Sequence, residues 1–474
     1  MILTPLQQAA TLDPSFKDTS GDPERKHPEL HTTGPPAYLQ SEGKAGIQES
    51  YIASDRDDFP TIEEMHTLRR VPQHVPIRIF TIGFVELVER MSYYGTVALY
   101  SNYIRAKRPT PTGAALDPSS ANAQPGALNM GKQVAFSLTT FNSFWVYCCP
   151  LLGAWIADTY LGRYKTIVYS VFIAIVGHVI LVASSAPKVL DKPDTALGVF
   201  VLGLLIMGLG TGTFKPNISP LIMEQIPEEP MRVEKRGEER VIVDPAVTAT
   251  RVYNWFYWFI NWGALIGQLC MVYAERYVGF WLAYLLPTVA FCFTIPVLMY
   301  CKKSYVLKPP SGSVIGPAMK LFFKALGTGL VANPIQTVKN WNDGTMWNKV
   351  KPSTLGANKP AWYNFDDAWV DEVARGFSAC GVFVWVPIFW LSYRQIDNNL
   401  TTMCATMSLH GVPNDVLQNL DPIALIIFVP IMDLFVYPAL RKRNINFSPI
   451  KKITAGFIVG ALGMVWAAVL QYYV

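Results

Sequence analysis

The stretch RIFTIGFVELVERMSYYGTVALYSNY, residues 78–103, decides the fold, because it is long enough to cross a bilayer and carries charges in its middle. At about 100° per residue, one side of the helix collects four polar residues: Glu86, Glu89, Arg90 and Tyr93. Ionisable groups at membrane depth each cost roughly 3 kcal/mol or more unless they pair or meet water. This face therefore predicts one wall of a polar cavity. The alternative is a structural Glu–Arg pair that locks two helices together.

Composition indicates an all-α membrane protein. Of the 474 residues, 51% are hydrophobic and only 16% are charged, whereas about 25% of the residues in ordinary soluble domains are charged. The net charge of +5 is modest, so nothing suggests a nucleic-acid binder. The seven cysteines lie in or beside apolar runs, and no disulfide framework, metal site or cofactor is implied.

Nine apolar runs follow a polar N-terminal segment. Residues 1–75 lack a sustained apolar period and predict a disordered tail. Each later run is close to the ~20 residues that a spanning helix needs, and we call them spans 1 to 9: 78–103, 133–157, 164–186, 197–222, 251–273, 279–301, 373–394, 421–439 and 452–473. The pattern divides the chain into a six-helix bundle at 76–301, a polar linker at 302–372 and three further helices at 373–474. Within the linker, 315–330 predicts a helix on the membrane surface.

Basic loops indicate the orientation. Lysines and arginines cluster between spans 4 and 5 and between spans 8 and 9: Arg232, Lys235, Arg236, Arg240, Arg441, Lys442, Arg443, Lys451 and Lys452. Such loops stay on the cytoplasmic side. We therefore predict that the N-terminal tail and the linker are both cytoplasmic. A connection of that length after six helices suits a transporter whose two bundles rock against each other.

Spans 2, 4 and 5 hold further polar groups. Span 2 ends with Asp158 just before a turn with Arg163. Such a short loop can hold an acid against a helix end or a base, and the contact can break when the bundles move; the alternative is a solvated turn. Lys215 stands beside a helix-breaking Pro216 and needs an anionic partner unless it snorkels to the interface. Asn261 in span 5 predicts either a ligand contact or a hydrogen bond that joins two helices.

These stretches together resemble the proton-coupled oligopeptide transporter family of the major facilitator superfamily. Residues 86–95, ELVERMSYYG, are similar to its ExxERFxYYG motif, with Met91 in place of Phe. GAWIADTYLG at 153–162 and FYWFINWGAL at 256–265 are similar to two further signatures, and 413–433 is particularly similar to fungal members. The resemblance covers residues 76–474.

The resemblance implies a role for each matched residue. Glu86, Glu89 and Arg90 would bind and relay a proton. Gating by Asp158 and Arg163 is predicted from their short loop and not from the resemblance. The remaining matches would contact the peptide: Tyr93, Tyr94, Tyr147, Lys215 and Asn261. We also expect aromatic walls such as Trp255 and Tyr257 to tolerate varied peptide side chains.

The sequence also departs from the family. Val97 and Thr140 stand where many members carry a titratable Arg and His, so proton coupling would depend on Glu86 and Glu89. The family core has twelve helices, and nine spans are counted here. The expectation is therefore an incomplete, three-helix second bundle, and a chain that in this form carries peptide poorly or not at all.

The implied function is proton-driven symport of di- and tripeptides into the cell, across the plasma membrane. The alternatives are transport of nitrate or another small anion on the same fold, or a transport-inactive partner. An enzyme is not indicated, since no nucleophile-base-acid arrangement, phosphate loop or metal-ligand spacing occurs.

The topology can be tested with tags. A tag at the N-terminus and a second tag within 302–372 should both be cytoplasmic, because the basic loops on the same side stay inside. Protease added outside intact cells should leave both tags in place and should cleave them only after permeabilisation. Removal of either tag from intact cells would contradict this orientation.

Overall fold

The computed structural model describes residues 59–117, 124–227, 229–237, 239–310, 312, 314–327, 345–356, 359–360, 362–393, 419–442 and 449–473. The prediction of a helix at each of the nine apolar runs is confirmed. Four of the described helices have by themselves both the length and the hydropathy of a membrane-spanning helix: Arg163–Ser184, Pro193–Met223, Phe280–Ser304 and Ile450–Tyr472. The other spans are interrupted or carry polar residues.

Spans 1 to 6 form the first group of helices. Span 1 is Ile77–Ala98, continued by Tyr100–Arg105, and span 2 is Gly131–Ile156 with a π-helical end, Ala157–Leu161. Spans 3, 4 and 5 are Arg163–Ser184, Pro193–Met223 and Pro245–Tyr277. Span 6 has two parts, Phe280–Cys292 and Thr294–Cys301. Between spans 3 and 4 lies a short helix, Pro187–Leu190.

Spans 7 to 9 are more broken. Span 7 consists of Asp367–Ala379, a 3₁₀ segment Cys380–Val384, and Val386–Tyr393. Span 8 consists of Leu420–Ile431, a π-helical turn Met432–Val436, and Tyr437–Lys442. Span 9 is Pro449–Tyr473. Span 8 is irregular where Pro430 lies inside the helix, because proline removes a backbone N–H and crowds the preceding turn.

Glycines let spans 1 and 5 pack closely. A Cβ atom on Gly263 would lie 2.3 Å from the Leu87 carbonyl oxygen, and one on Gly267 would lie 2.2 Å from that of Met91. No side chain fits at either position, so the two backbones touch directly. This contact lies beside the polar face of span 1. It fixes the rotation of span 1 about its own axis.

A three-stranded sheet lies outside the spans. β1 is Arg69–Val71, β2 is Arg232–Arg236 and β3 is Glu239–Val243. β3 is central, pairing in parallel with β1 and antiparallel with β2. The sheet thereby joins the N-terminal segment to the connection between spans 4 and 5. β1 lies just before the start of span 1, and β3 lies just before the start of span 5.

The sheet corrects the predicted tail of 1–75. Helix Ile62–Thr67, capped by Thr61 and Glu64, and strand β1 are ordered parts of that segment. The strand escaped prediction because its partner lies some 170 residues away and a three-residue strand has no visible period. Residues 1–58 lie outside the described part of the chain.

The linker has a small core of its own. The predicted surface helix forms at Ile315–Leu326, and its Leu321 is fully buried against Trp347, Val370 and neighbouring apolar residues. One face of this helix therefore packs on linker residues, and its place on the membrane surface stays a prediction. Phe323 is 60% exposed on the other face.

Asp244 provides a test of the junction between sheet and span. Its carboxylate accepts a hydrogen bond from Ala246 N at the start of span 5 and pairs with Arg70 Nη1 at 3.1 Å. Its side chain is only 5% exposed. We expect Asp244→Ala to lower the melting temperature, because it removes a helix cap and leaves Arg70 without its carboxylate partner. The free energy of unfolding should fall by about 1–2 kcal/mol.

Arg69→Ala is the matched control, measured by the same thermal denaturation in detergent. It removes an ion pair to Glu239 whose two side chains are both more than half exposed. Such pairs contribute little to stability. Equal effects of the two substitutions would contradict a structural role for Asp244.

Candidate functional site

Three charges are buried in the middle of span 1. Arg90 Nε lies 3.2 Å from Glu86 Oε1, and the same guanidinium contacts Glu89 Oε2 through Nε and Nη2. None of the three side chains is more than 3% exposed. The predicted polar face is therefore present and turned away from lipid, as the cost of a charge in hydrocarbon requires.

The charges in this cluster do not cancel when both acids are ionised. Two carboxylates share one guanidinium, which leaves one negative charge in excess. Glu86 Oε2 and Glu89 Oε1 are buried and have no hydrogen-bond partner among the described residues. A proton on either oxygen would neutralise the cluster and occupy a site that is otherwise unsatisfied.

Two tyrosines lie one turn further along span 1. The Arg90 guanidinium carbon is 5.4 Å from the Tyr93 ring centroid and 6.0 Å from that of Tyr94, within cation–π range. The two rings meet edge to face, with centroids 5.3 Å apart. Arg90 thus links the acids to the aromatic pair.

Lys215 and Tyr147 form an accessible counterpart to the buried cluster. Lys215 Nζ lies 5.0 Å from the Tyr147 ring centroid. Both side chains are exposed, Tyr147 to 55%. Lys215 interacts electrostatically with Glu86 and Glu89, yet no described carboxylate lies within ion-pair distance of it. The anionic partner that the sequence predicts for Lys215 is therefore not found among the described residues, and the lysine lies over a tyrosine ring instead.

Asn261 is buried in span 5 and donates Nδ2 to the Tyr257 carbonyl oxygen at 2.8 Å. Within the described residues it makes no hydrogen bond to another helix, so the interpretation as a contact that joins two helices is not supported. Tyr257, one turn earlier, is 45% exposed.

The predicted gating pair has other partners. Arg163, at the start of span 3, forms an ion pair with Glu224 at the end of span 4. Burial raises the pKa of the Glu224 carboxyl, and Arg163 opposes that shift. The Asp158 carbonyl oxygen accepts a hydrogen bond of 2.8 Å from Gly312 N of the linker. Asp158 and Arg163 are thus brought to one end of the bundle, but not to each other.

Two polar contacts on span 8 were missed by the sequence interpretation. Asn254 Nδ2 donates to Asp433 Oδ1 at 3.0 Å, which joins span 5 to span 8. The Tyr393 hydroxyl donates to Asp421 Oδ2 at 2.9 Å, which joins spans 7 and 8. Asp433 could have been found by the rule that identified Glu86, because it is an acid within an apolar run.

The arrangement of spans is that of a major facilitator transporter fold. The crystal structure of the POT family transporter PepTSo is similar, with a TM-score of 0.58 and 21% identity, over 85% of this chain and 77% of that one. An auto-inhibited POT family peptide transporter gives a TM-score of 0.56 at 20% identity, over 84% and 76%. The protein is therefore a multi-pass membrane protein of this fold class.

The chain belongs to the POT family, whose model matches residues 164–474. The probable peptide transporter ptr2 of Schizosaccharomyces pombe is 41% identical over 439 residues, which is 91% of this chain and 65% of that protein. The peptide transporter PTR2 of Saccharomyces cerevisiae is 38% identical, over 92% of this chain and 68% of that protein. The chain thus spans about two thirds of the length of these relatives.

The charge balance of the buried cluster can be tested by a mutant cycle. Arg90→Met should destabilise the protein strongly, by about 3–5 kcal/mol, because it leaves two buried carboxylates without a cation. The triple variant Glu86→Gln, Glu89→Gln, Arg90→Met removes all three charges and should recover a large part of that loss. Thermal denaturation in detergent measures both. A triple variant less stable than Arg90→Met would contradict the mutual compensation of these charges.

Proposed function

We propose that this chain is a proton-coupled symporter of di- and tripeptides that works by alternating access in the plasma membrane, with its N-terminus in the cytoplasm. The observation that carries the proposal is the buried cluster of Glu86, Glu89 and Arg90 beside the accessible Lys215. One site can hold a proton without contact with bulk water, and the other can bind an anion. The peptide transporters among the relatives support the choice of substrate.

The proton step uses the charge excess in span 1. With both acids ionised, Arg90 is held by two carboxylates. A proton on Glu86 or Glu89 removes one of these attractions, and Arg90, which already lies against Tyr93 and Tyr94, becomes free to pair with a bound carboxylate. Proton binding and peptide binding then favour each other, because both act on the same guanidinium. This mutual effect is a coupling free energy between the two sites.

The peptide step combines the accessible Lys215 and Tyr147 with Arg90 and Asn261, which are buried. The peptide carboxylate would bind Lys215 and Arg90, since charge-assisted hydrogen bonds to cations are strong. The backbone amides of the peptide would contact four residues: Tyr93, Tyr94, Tyr147 and Asn261. Its ammonium needs an acid, and Asp421 fits that role because it is exposed, is held by Tyr393 and interacts electrostatically with Tyr257. The separation between the two charged poles would select short peptides.

Alternating access requires contacts that break. The Asn254–Asp433 bond joins the two bundles and the bond from Asp158 joins the first bundle to the linker, so both would break when the bundles rock. We assign gating to Asp158 on this basis, and to Arg163 because its pair with Glu224 lies at the same end of the first bundle. Glu224 is the partner that Arg163 would exchange.

The experiment compares gradient-driven uptake with counterflow in vesicles. In a version that has the family's full twelve helices, we expect Glu89→Gln to abolish uptake driven by an inward proton gradient and to leave peptide exchange measurable, because the proton carrier is lost while the peptide site remains. Lys215→Ala should weaken both, since it removes the carboxylate partner. Glu239→Gln, an exposed acid in β3, is the matched control and should change neither.

Two results would count against this function. Full gradient-driven accumulation by Glu89→Gln would exclude that residue as the proton carrier. Failure of the unaltered chain to bind any di- or tripeptide, measured directly by a thermal shift, would exclude the peptide site itself.

A further inference from the structure

A groove on the outside of the bundle is lined by aromatic residues of spans 1 and 5. It encloses about 290 Å³, and Phe80, Trp255 and Phe259 contribute to its wall. The Phe80 and Phe259 rings meet edge to face at 6.4 Å. The groove lies at the end of the bundle where spans 1 and 5 begin, and Arg251 lines it there.

Among the described residues the groove opens on the outer side of the bundle, as the rotation of span 5 indicates. The Tyr253 hydroxyl lies near Ser219 of span 4, so this side chain points into the bundle. Asn254 contacts span 8, and Gly263 contacts span 1. At about 100° per residue, Arg251 and Trp255 each lie roughly 160° away from Tyr253, on the side that these neighbours leave open.

The exposed residues of span 1, on the other wall of the groove, also indicate that this side is the outside of the bundle. Ile77 is 81% exposed and Phe84 is 43% exposed, both on the outer side of the helix whose inner side carries Glu86 and Arg90. Apolar side chains exposed at membrane depth contact lipid. Trp255, which the sequence predicts as an aromatic wall of the peptide path, lines this groove.

Arg251 supplies a charge without a protein partner. Within the described residues it makes neither an ion pair nor a hydrogen bond, and its nearest acid along the helix start, Asp244, is already paired with Arg70. Arg251 lies seven residues after Asp244, about 10 Å along the helix. It is therefore near the end of the hydrocarbon layer, where an arginine reaches the phosphate groups of the membrane.

We propose that this groove binds an anionic phospholipid, with the headgroup on Arg251 and an acyl chain along Phe80, Trp255 and Phe259. The aromatic wall explains affinity for an acyl chain, and the unpaired guanidinium explains selection of a negative headgroup. A free anion would not contact the aromatic wall, and a lipid without net charge would leave the positive charge of Arg251 unbalanced.

Native mass spectrometry of the purified protein tests the site. Dioleoyl phosphatidylserine and dioleoyl phosphatidylcholine are titrated separately, and the ratio of their affinities is the readout. We expect the unaltered protein to prefer phosphatidylserine by about fivefold, the effect of one basic residue near the surface. Arg251→Gln should abolish most of that preference, and Arg251→Lys should retain it.

Lys303→Gln is the matched control. Lys303 is exposed at the end of span 6, outside the groove, so its loss removes one charge without touching the site. It should keep the preference for phosphatidylserine, and inorganic phosphate at millimolar concentration should not compete. An unchanged preference in Arg251→Gln, an equal loss in Lys303→Gln, or full competition by inorganic phosphate would each overturn the proposal.

Discussion

The pairing of Arg90 with two glutamates is the interaction on which the rest of the first bundle depends. Charges at this depth are tolerated only if they are paired and covered. The covering helices must therefore approach closely, and Gly263 and Gly267 allow the backbone of span 5 to touch that of span 1. The chemistry of one helix thus dictates which residues its neighbour can carry.

The same constraint separates two kinds of polar group. Glu86, Glu89 and Arg90 are sealed from solvent, whereas Lys215 and Tyr147 are accessible. A sealed acid responds to a proton, because burial makes its charge expensive. An accessible lysine responds to an anion. Tyr93 and Tyr94 lie against Arg90 between these groups, which gives a short physical route by which one binding event can influence the other.

Sequence patterns predicted the spans and the buried face of span 1, because hydrophobic length and helical periodicity are local properties. They did not predict which distant residues contact each other. Arg163 pairs with Glu224 and not with Asp158, Lys215 faces Tyr147, and β1 pairs with a strand some 170 residues later. Each of these depends on how distant helices are placed. The prediction for Trp255 has the same limit, because the sequence pattern of an aromatic residue in a span is the same whether the residue faces a substrate or a lipid.

The central claim is that the buried cluster takes up a proton when peptide binds. Titration calorimetry of a dipeptide, repeated in buffers with different ionisation enthalpies, measures the number of protons exchanged on binding. The account predicts net proton uptake near neutral pH by the unaltered chain, and none by the variant that carries both Glu86→Gln and Glu89→Gln. Proton uptake that persists unchanged in that double variant would contradict the account.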